Sequence, residues 1–133
     1  MLRRVPYPLV CAALGAVLGW VPSFFHGPIP EKFSIFHLNG AVAVWAFYTA
    51  RMLIGALVGL AVWPPVWWAR GPLAGLFMMM PVGFISLATP GCGPPCCGWN
   101  LTTGAGVGLA VAALARVLTG RSGPLDQPAP SNT

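Results

Sequence analysis

The chain has 133 residues, of which 56% are hydrophobic and only 7% charged, with a formal net charge of +5. An ordinary soluble domain carries roughly a quarter charged residues, so this chain lacks the polar groups to coat a water-soluble globule, and hydrocarbon is the expected solvent for much of its surface. Two carboxylates and two histidines leave little equipment for general acid-base work, which argues against hydrolysis and group transfer.

Four apolar stretches follow in chain order, at about 7–25, 40–63, 73–88 and 101–118. Each approaches the roughly 17 to 25 residues that a membrane-crossing helix needs, the third being the shortest. The predicted fold class is an all-α integral membrane protein: a bundle of four transmembrane helices within residues 1–119, an apolar outer loop and a disordered cytoplasmic tail over 120–133. Arg3 and Arg4 precede the first stretch in the manner of a signal peptide, but Val21-Pro22-Ser23-Phe24-Phe25 offers no small-x-small cleavage site, so a retained helix is expected. The loop after it contains Phe33, Ile35, Phe36 and Leu38, which suit a segment lying among headgroups, clamped against a partner or packed as a lid on its own bundle.

The second stretch carries Arg51 near its middle, with no acidic residue close in sequence. A charge near the bilayer midplane costs several kcal/mol unless something answers it. Pro64 and Pro65 then end the helix and Pro72 fits the first turn of the next, so a stiff inner turn makes the second and third helices antiparallel neighbours. Within the third stretch, Pro81 frees the carbonyl of Phe77, and Met78, Met79 and Met80 read as adaptable packing because three consecutive residues cannot share one helix face. The Gly- and Pro-rich segment from Thr89 to Asn100 is expected to be an outer loop.

Basic residues in short loops stay on the cytoplasmic side. Arg3, Arg4, Arg70, Arg116 and Arg121 fall on one side of a four-helix topology and Lys32 on the other, which places both termini in the cytoplasm, with a bacterial inner membrane as the expected location. Trp20, Trp45 and Trp99 near the outer ends, with Trp63, Trp67 and Trp68 near the inner ones, match interfacial aromatic belts. The net charge is thus a topology signal that favours anionic lipid. Its isolated cations form no phosphate-tracking stripe for nucleic acid.

Glycines recur four apart at Gly15 and Gly19, Gly55 and Gly59, and Gly104 and Gly108. Small faces of this kind let helix backbones approach closely, within one bundle or between a bundle and a neighbouring subunit or second copy. For Arg51 two readings stand. Internally, it donates to carbonyls opened at Pro81, with Tyr48, Thr49 or water completing its donors; externally, it meets a partner carboxylate, a lipid phosphate, or a quinone or pigment carbonyl.

Three of the four cysteines, Cys92, Cys96 and Cys97, gather in the segment before the fourth helix. A Cys92–Cys96 disulfide staple, quinone-linked thiol exchange, and soft-metal capture with His26 and His37 all compete for them. Cys11, inside the first helix, reads as packing. A haem held by His26 and His37 is disfavoured, since haem-binding bundles place both ligands inside helices.

The leading expectation is a non-catalytic accessory subunit of a larger membrane complex, an electron-transport or photosynthetic one, in contact with lipid, quinone or pigment. The alternative is a thiol oxidoreductase or soft-metal handler using Cys92, Cys96 and Cys97.

Overall fold

A computed structural model of the chain describes residues 5–26, 40–89 and 92–126. The apolar outer loop with His37, the pair Arg3 and Arg4, and the distal tail 127–133 lie outside the described residues, as does the side chain of His26.

All regular structure among the described residues is helical, in four longer helices and one short one: α1 Tyr7–Leu18, α2 Val21–His26, α3 Gly40–Leu60, α4 Trp67–Ala88 and α5 Gly93–Thr119. By length and composition, α4 and α5 could each cross a membrane; α1 and the Trp45–Leu60 part of α3 are shorter apolar helices.

The boundaries depart from the sequence expectation in physically instructive ways. The first helix ends at Leu18, and the chain turns through Gly19 and Trp20 into α2. The third begins at Trp67 rather than Leu73, so Pro72 and Pro81 both lie inside α4. The fourth begins at Gly93, eight residues before the expected start at Leu101, and absorbs most of the expected cysteine loop. Proline at an N-terminal helical position gives up only a donor that has no intrahelical acceptor, so Pro94 starts this helix rather than breaking it. Gly93, at φ 70°, takes the left-handed conformation that the entry into the helix requires. At the far end Gly120, at φ 71°, closes α5 by donating its N–H to the Arg116 carbonyl at 2.8 Å.

Glycine contacts fix the pairing. A Cβ added at Gly15 would stand 2.7 Å from the Gly55 Cα, and one at Gly59 2.7 Å from the Pro8 Cα, so α1 and α3 cross antiparallel with backbones touching. In the other pair, a Cβ at Gly71 would stand 2.9 Å from the Gly108 carbonyl carbon, and Gly75 meets Gly104 in the same way. The helices α4 and α5 are therefore also antiparallel. Tyr7, Val10 and Cys11 of α1 meet Ile54 and Val58 of α3, Ala74 and Met79 of α4, and Val107, Val111, Ala112 and Ala115 of α5 in one buried core. The start of α1, the end of α3, the start of α4 and the end of α5 thus share one end of the bundle, called here the proximal end.

Polar hydroxyls on these helices are satisfied locally. Thr49, Ser86, Thr89, Thr102, Thr103 and Thr119 each donate to a carbonyl one turn back, at 2.7 to 2.9 Å. Such back-bonding lets a hydroxyl sit on an apolar face without an outside partner.

The chain after α5 folds back over the proximal end. Residues 120–126, part of the expected disordered tail, form an irregular turn in which the Ser122 N–H donates to Asp126 Oδ2 at 2.9 Å and Gly123 is buried.

Candidate functional site

Arg51 lies on the inner side of α3, 3% exposed, on the same helical stripe as the buried Ile54 and Val58. Its backbone carbonyl carbon comes within 3.4 Å of where a Cβ on Gly19 would stand, and the residue has interactions within the chain. Pro81 and Phe77, the pair expected to offer it a freed carbonyl, lie on the exposed face of α4.

Tyr48 and Thr49 are turned to other tasks. The Tyr48 hydroxyl donates to the Ala16 carbonyl of α1 at 2.9 Å, and its ring stacks on Trp20 at 4.2 Å with Trp45 edge-on at 5.8 Å. Thr49 is exposed and bonded to the Trp45 carbonyl at 2.7 Å. Arg51 thus points inward, Tyr48 is half-buried against α1 and Thr49 is exposed. An aromatic clasp of Trp20, Trp45 and Tyr48 ties α1 to α3 at the distal end, one turn from Arg51.

The cysteines are unbridged. None of Cys11, Cys92, Cys96 and Cys97 forms a disulfide, which corrects the expected Cys92–Cys96 staple. The helix start explains it: Cys92 is the N-terminal cap of α5, and Cys96 is fixed inside the helix that Gly93 and Pro94 begin. Cys97 instead packs toward α4, its Sγ 3.2 Å from the position of a Cβ on Gly83. Among the described residues no three His, Cys, Asp or Glu side chains come together as a metal site.

Next to Cys97 on α5, Asn100 is buried between α4 and α5 and donates its Nδ2 to Ser86 Oγ at 2.9 Å. Its Oδ1 accepts no hydrogen bond from a described residue.

The sequence reading missed a second buried arginine. Arg70, expected in an interfacial loop, is 2% exposed in the first turn of α4. Its guanidinium lies 5.9 Å over the ring of Tyr7, its Nη2 donates to the Ser122 carbonyl, and Gly123 packs against it so closely that a Cβ there would stand 2.8 Å from Nη1. Nearby, Arg121 Nη1 reaches the Val5 carbonyl at 3.4 Å and Arg116 sits 5.1 Å over the Trp67 ring. Contacts from a segment 52 residues further along the chain bury Arg70, and no local pattern announces them. Gly71 and Gly75 were missed too, although their spacing of four was the available signal; the helix was expected to start two residues after Gly71.

The packing glycines Gly15, Gly55, Gly59, Gly104 and Gly108 are each placed against a facing helix, and Gly19 closes the end of α1 against Met52 and Arg51. Gly98 and Gly106 differ. On the outer face of α5, no described residue lies within 4 Å of where their Cβ atoms would be.

No protein-family model, curated protein or solved structure matches the chain.

Proposed function

We propose that the chain is a bundle of four membrane-crossing helices, with both termini cytoplasmic, that serves as a non-catalytic accessory subunit of a larger membrane assembly. The observation that carries this reading is the outer face of α5, where Gly98, Thr102 and Gly106 repeat four apart, all exposed, and the two glycines meet no facing helix among the described residues. The glycines of the two inner seams are taken up by intramolecular packing, which leaves this face available to a helix of another subunit. Large apolar side chains flank the bundle as they would in lipid: Phe77 and Phe84 on α4 and Val117 on α5 are 68%, 62% and 79% exposed. Back-bonded hydroxyls and a wide inventory of exposed tryptophan fit the same solvent.

The test is mild-detergent purification from the native membrane with mass spectrometry and an absorption spectrum. Stoichiometric co-purifying subunits are expected, and their identity and any pigment or haem bands say whether the assembly is an energy-transducing one. Gly106→Leu should release them while the bundle stays folded.

A second reading, thiol redox or soft-metal handling, draws on Cys92, Cys96 and Cys97, half-exposed and gathered at the start of α5. Serine at all three positions separates the two, since an accessory subunit keeps its partners without those thiols.

A further inference from the structure

We propose that Arg70 and Tyr7 form a binding site for a phosphate-class anion, held closed by the chain's own segment Gly120–Asp126. Three observations converge on it. First, a guanidinium that is 2% exposed is answered by a neutral group, the Ser122 carbonyl, although Asp126 is close by along the same turn. The Asp126 carboxylate accepts from the Ser122 N–H instead and is itself exposed. A buried arginine has five N–H donors in a planar fork, for which a phosphate oxygen pair is the natural complement.

Second, two neighbouring buried donors have no acceptor among the described residues. The Tyr7 hydroxyl, on a side chain with no exposed surface, and Arg70 Nε make no hydrogen bond of normal geometry there, and the hydroxyl lies beside both the Cys11 thiol and the guanidinium. An oxyanion supplies several lone pairs at once, which suits a buried guanidinium N–H and a buried hydroxyl that both lack an acceptor.

Third, the cover is built to come away. The segment is a short irregular turn hinged at the left-handed Gly120; it rests on Arg70 through one backbone carbonyl and through Gly123, and Arg121 ties it to the Val5 carbonyl at 3.4 Å. It lies outside every helix. The site lies at the proximal end beside Trp67 and Arg116, the depth at which lipid phosphates sit in the proposed membrane orientation. The ligand is therefore the phosphate of an anionic phospholipid or a free phosphate, competing with Ser122 for Arg70.

The experiment uses the full chain in phosphatidylcholine vesicles, with or without phosphatidylglycerol, and in detergent with inorganic phosphate. Retained phospholipid is read by native mass spectrometry and phosphate binding by tryptophan fluorescence. Gly123→Val, which crowds the guanidinium from the side of the cover, is expected to tighten binding about tenfold over wild type. In that background Arg70→Lys should remove most of the gain by losing the fork, and Tyr7→Phe, which deletes only the hydroxyl and threatens folding least, should weaken binding a few-fold. Retention of phosphatidylglycerol alone identifies a lipid headgroup site, and response to inorganic phosphate alone identifies a small-anion site. The lipid arm rests on the membrane reading and the phosphate arm does not, so failure to enter vesicles with an intact phosphate response would overturn the membrane reading only. The proposal is overturned if Gly123→Val frees the segment to protease but binds neither probe more tightly, or if its gain survives both Arg70→Lys and Tyr7→Phe.

Discussion

In the α4–α5 pair the glycines of both helices face each other, Gly71 against Gly108 and Gly75 against Gly104, and a side-chain hydrogen bond from Asn100 to Ser86 closes the distal part. In the α1–α3 pair Gly15 meets Gly55, but Gly59 meets Pro8 and Cys11, and the distal end is held by the Trp20, Trp45 and Tyr48 rings. One pair is a long, continuous hairpin with a short connection. The other is shorter on the α1 side and ends in aromatics. Backbone-to-backbone contact sets α4–α5 as the frame of the bundle, whereas α1–α3 uses its side chains to tie a shorter helix on. The frame is also the pair whose outer face, on α5, meets no other helix among the described residues at Gly98 and Gly106.

Gly108→Val is the change expected to do most damage, since its Cβ would stand 2.7 Å from the Gly71 carbonyl carbon and 3.2 Å from the Gly75 nitrogen. Neither backbone can yield while both helices stay straight, so a loss of about 3 kcal/mol is expected, read as a lowered Tm and poor recovery from detergent. Gly55→Val, with a Cβ 2.6 Å from the Gly15 Cα, should instead release α1 while α4–α5 holds. Hydrogen exchange would then rise in α1 and α3 and stay slow in α5; uniform exchange through all helices would erase the distinction between frame and attachment.

Arg51→Leu sharpens the comparison from the functional side. Arg51 faces inward with interactions inside the chain, so this variant is expected to keep its co-purifying subunits. Loss of partners with the fold preserved would return Arg51 to a partner-binding role. Asn100→Ala should cost about 0.6 kcal/mol, the mean for interhelical hydrogen bonds in membranes, and be visible as a small drop in Tm. Tyr48→Phe, removing the hydroxyl bonded to Ala16 but leaving the stacked ring, is expected to cost about 0.5 kcal/mol by the same measurement.

Hydropathy alone located the helical stretches, because a run of apolar residues is a local property. Helix ends were less legible, and the reason is visible at Gly93-Pro94-Pro95: the same residues that break a helix from within begin one from its first turn, and composition does not say which. Gly15, Gly55, Gly104 and Gly108 could be picked out by their spacing, but their partners could not, since nothing in Gly108 names Gly71. Arg51 was conspicuous as a charge amid apolar residues. Arg70 stood next to Trp67 and Trp68 in a segment that read as a loop, and its burial depends on Ser122 and Gly123 returning from the far end of the chain. Charges buried by distant segments leave no periodic trace.

The most direct measurement is a side-by-side mild-detergent purification of the wild-type chain and Gly106→Leu from native membranes, with subunit stoichiometry by mass spectrometry. An accessory subunit docked through the outer face of α5 gives stoichiometric partners with wild type and a folded, partner-free bundle with Gly106→Leu. A wild-type chain that emerges as a monomer or homo-oligomer, or partners that stay bound in Gly106→Leu, would contradict it.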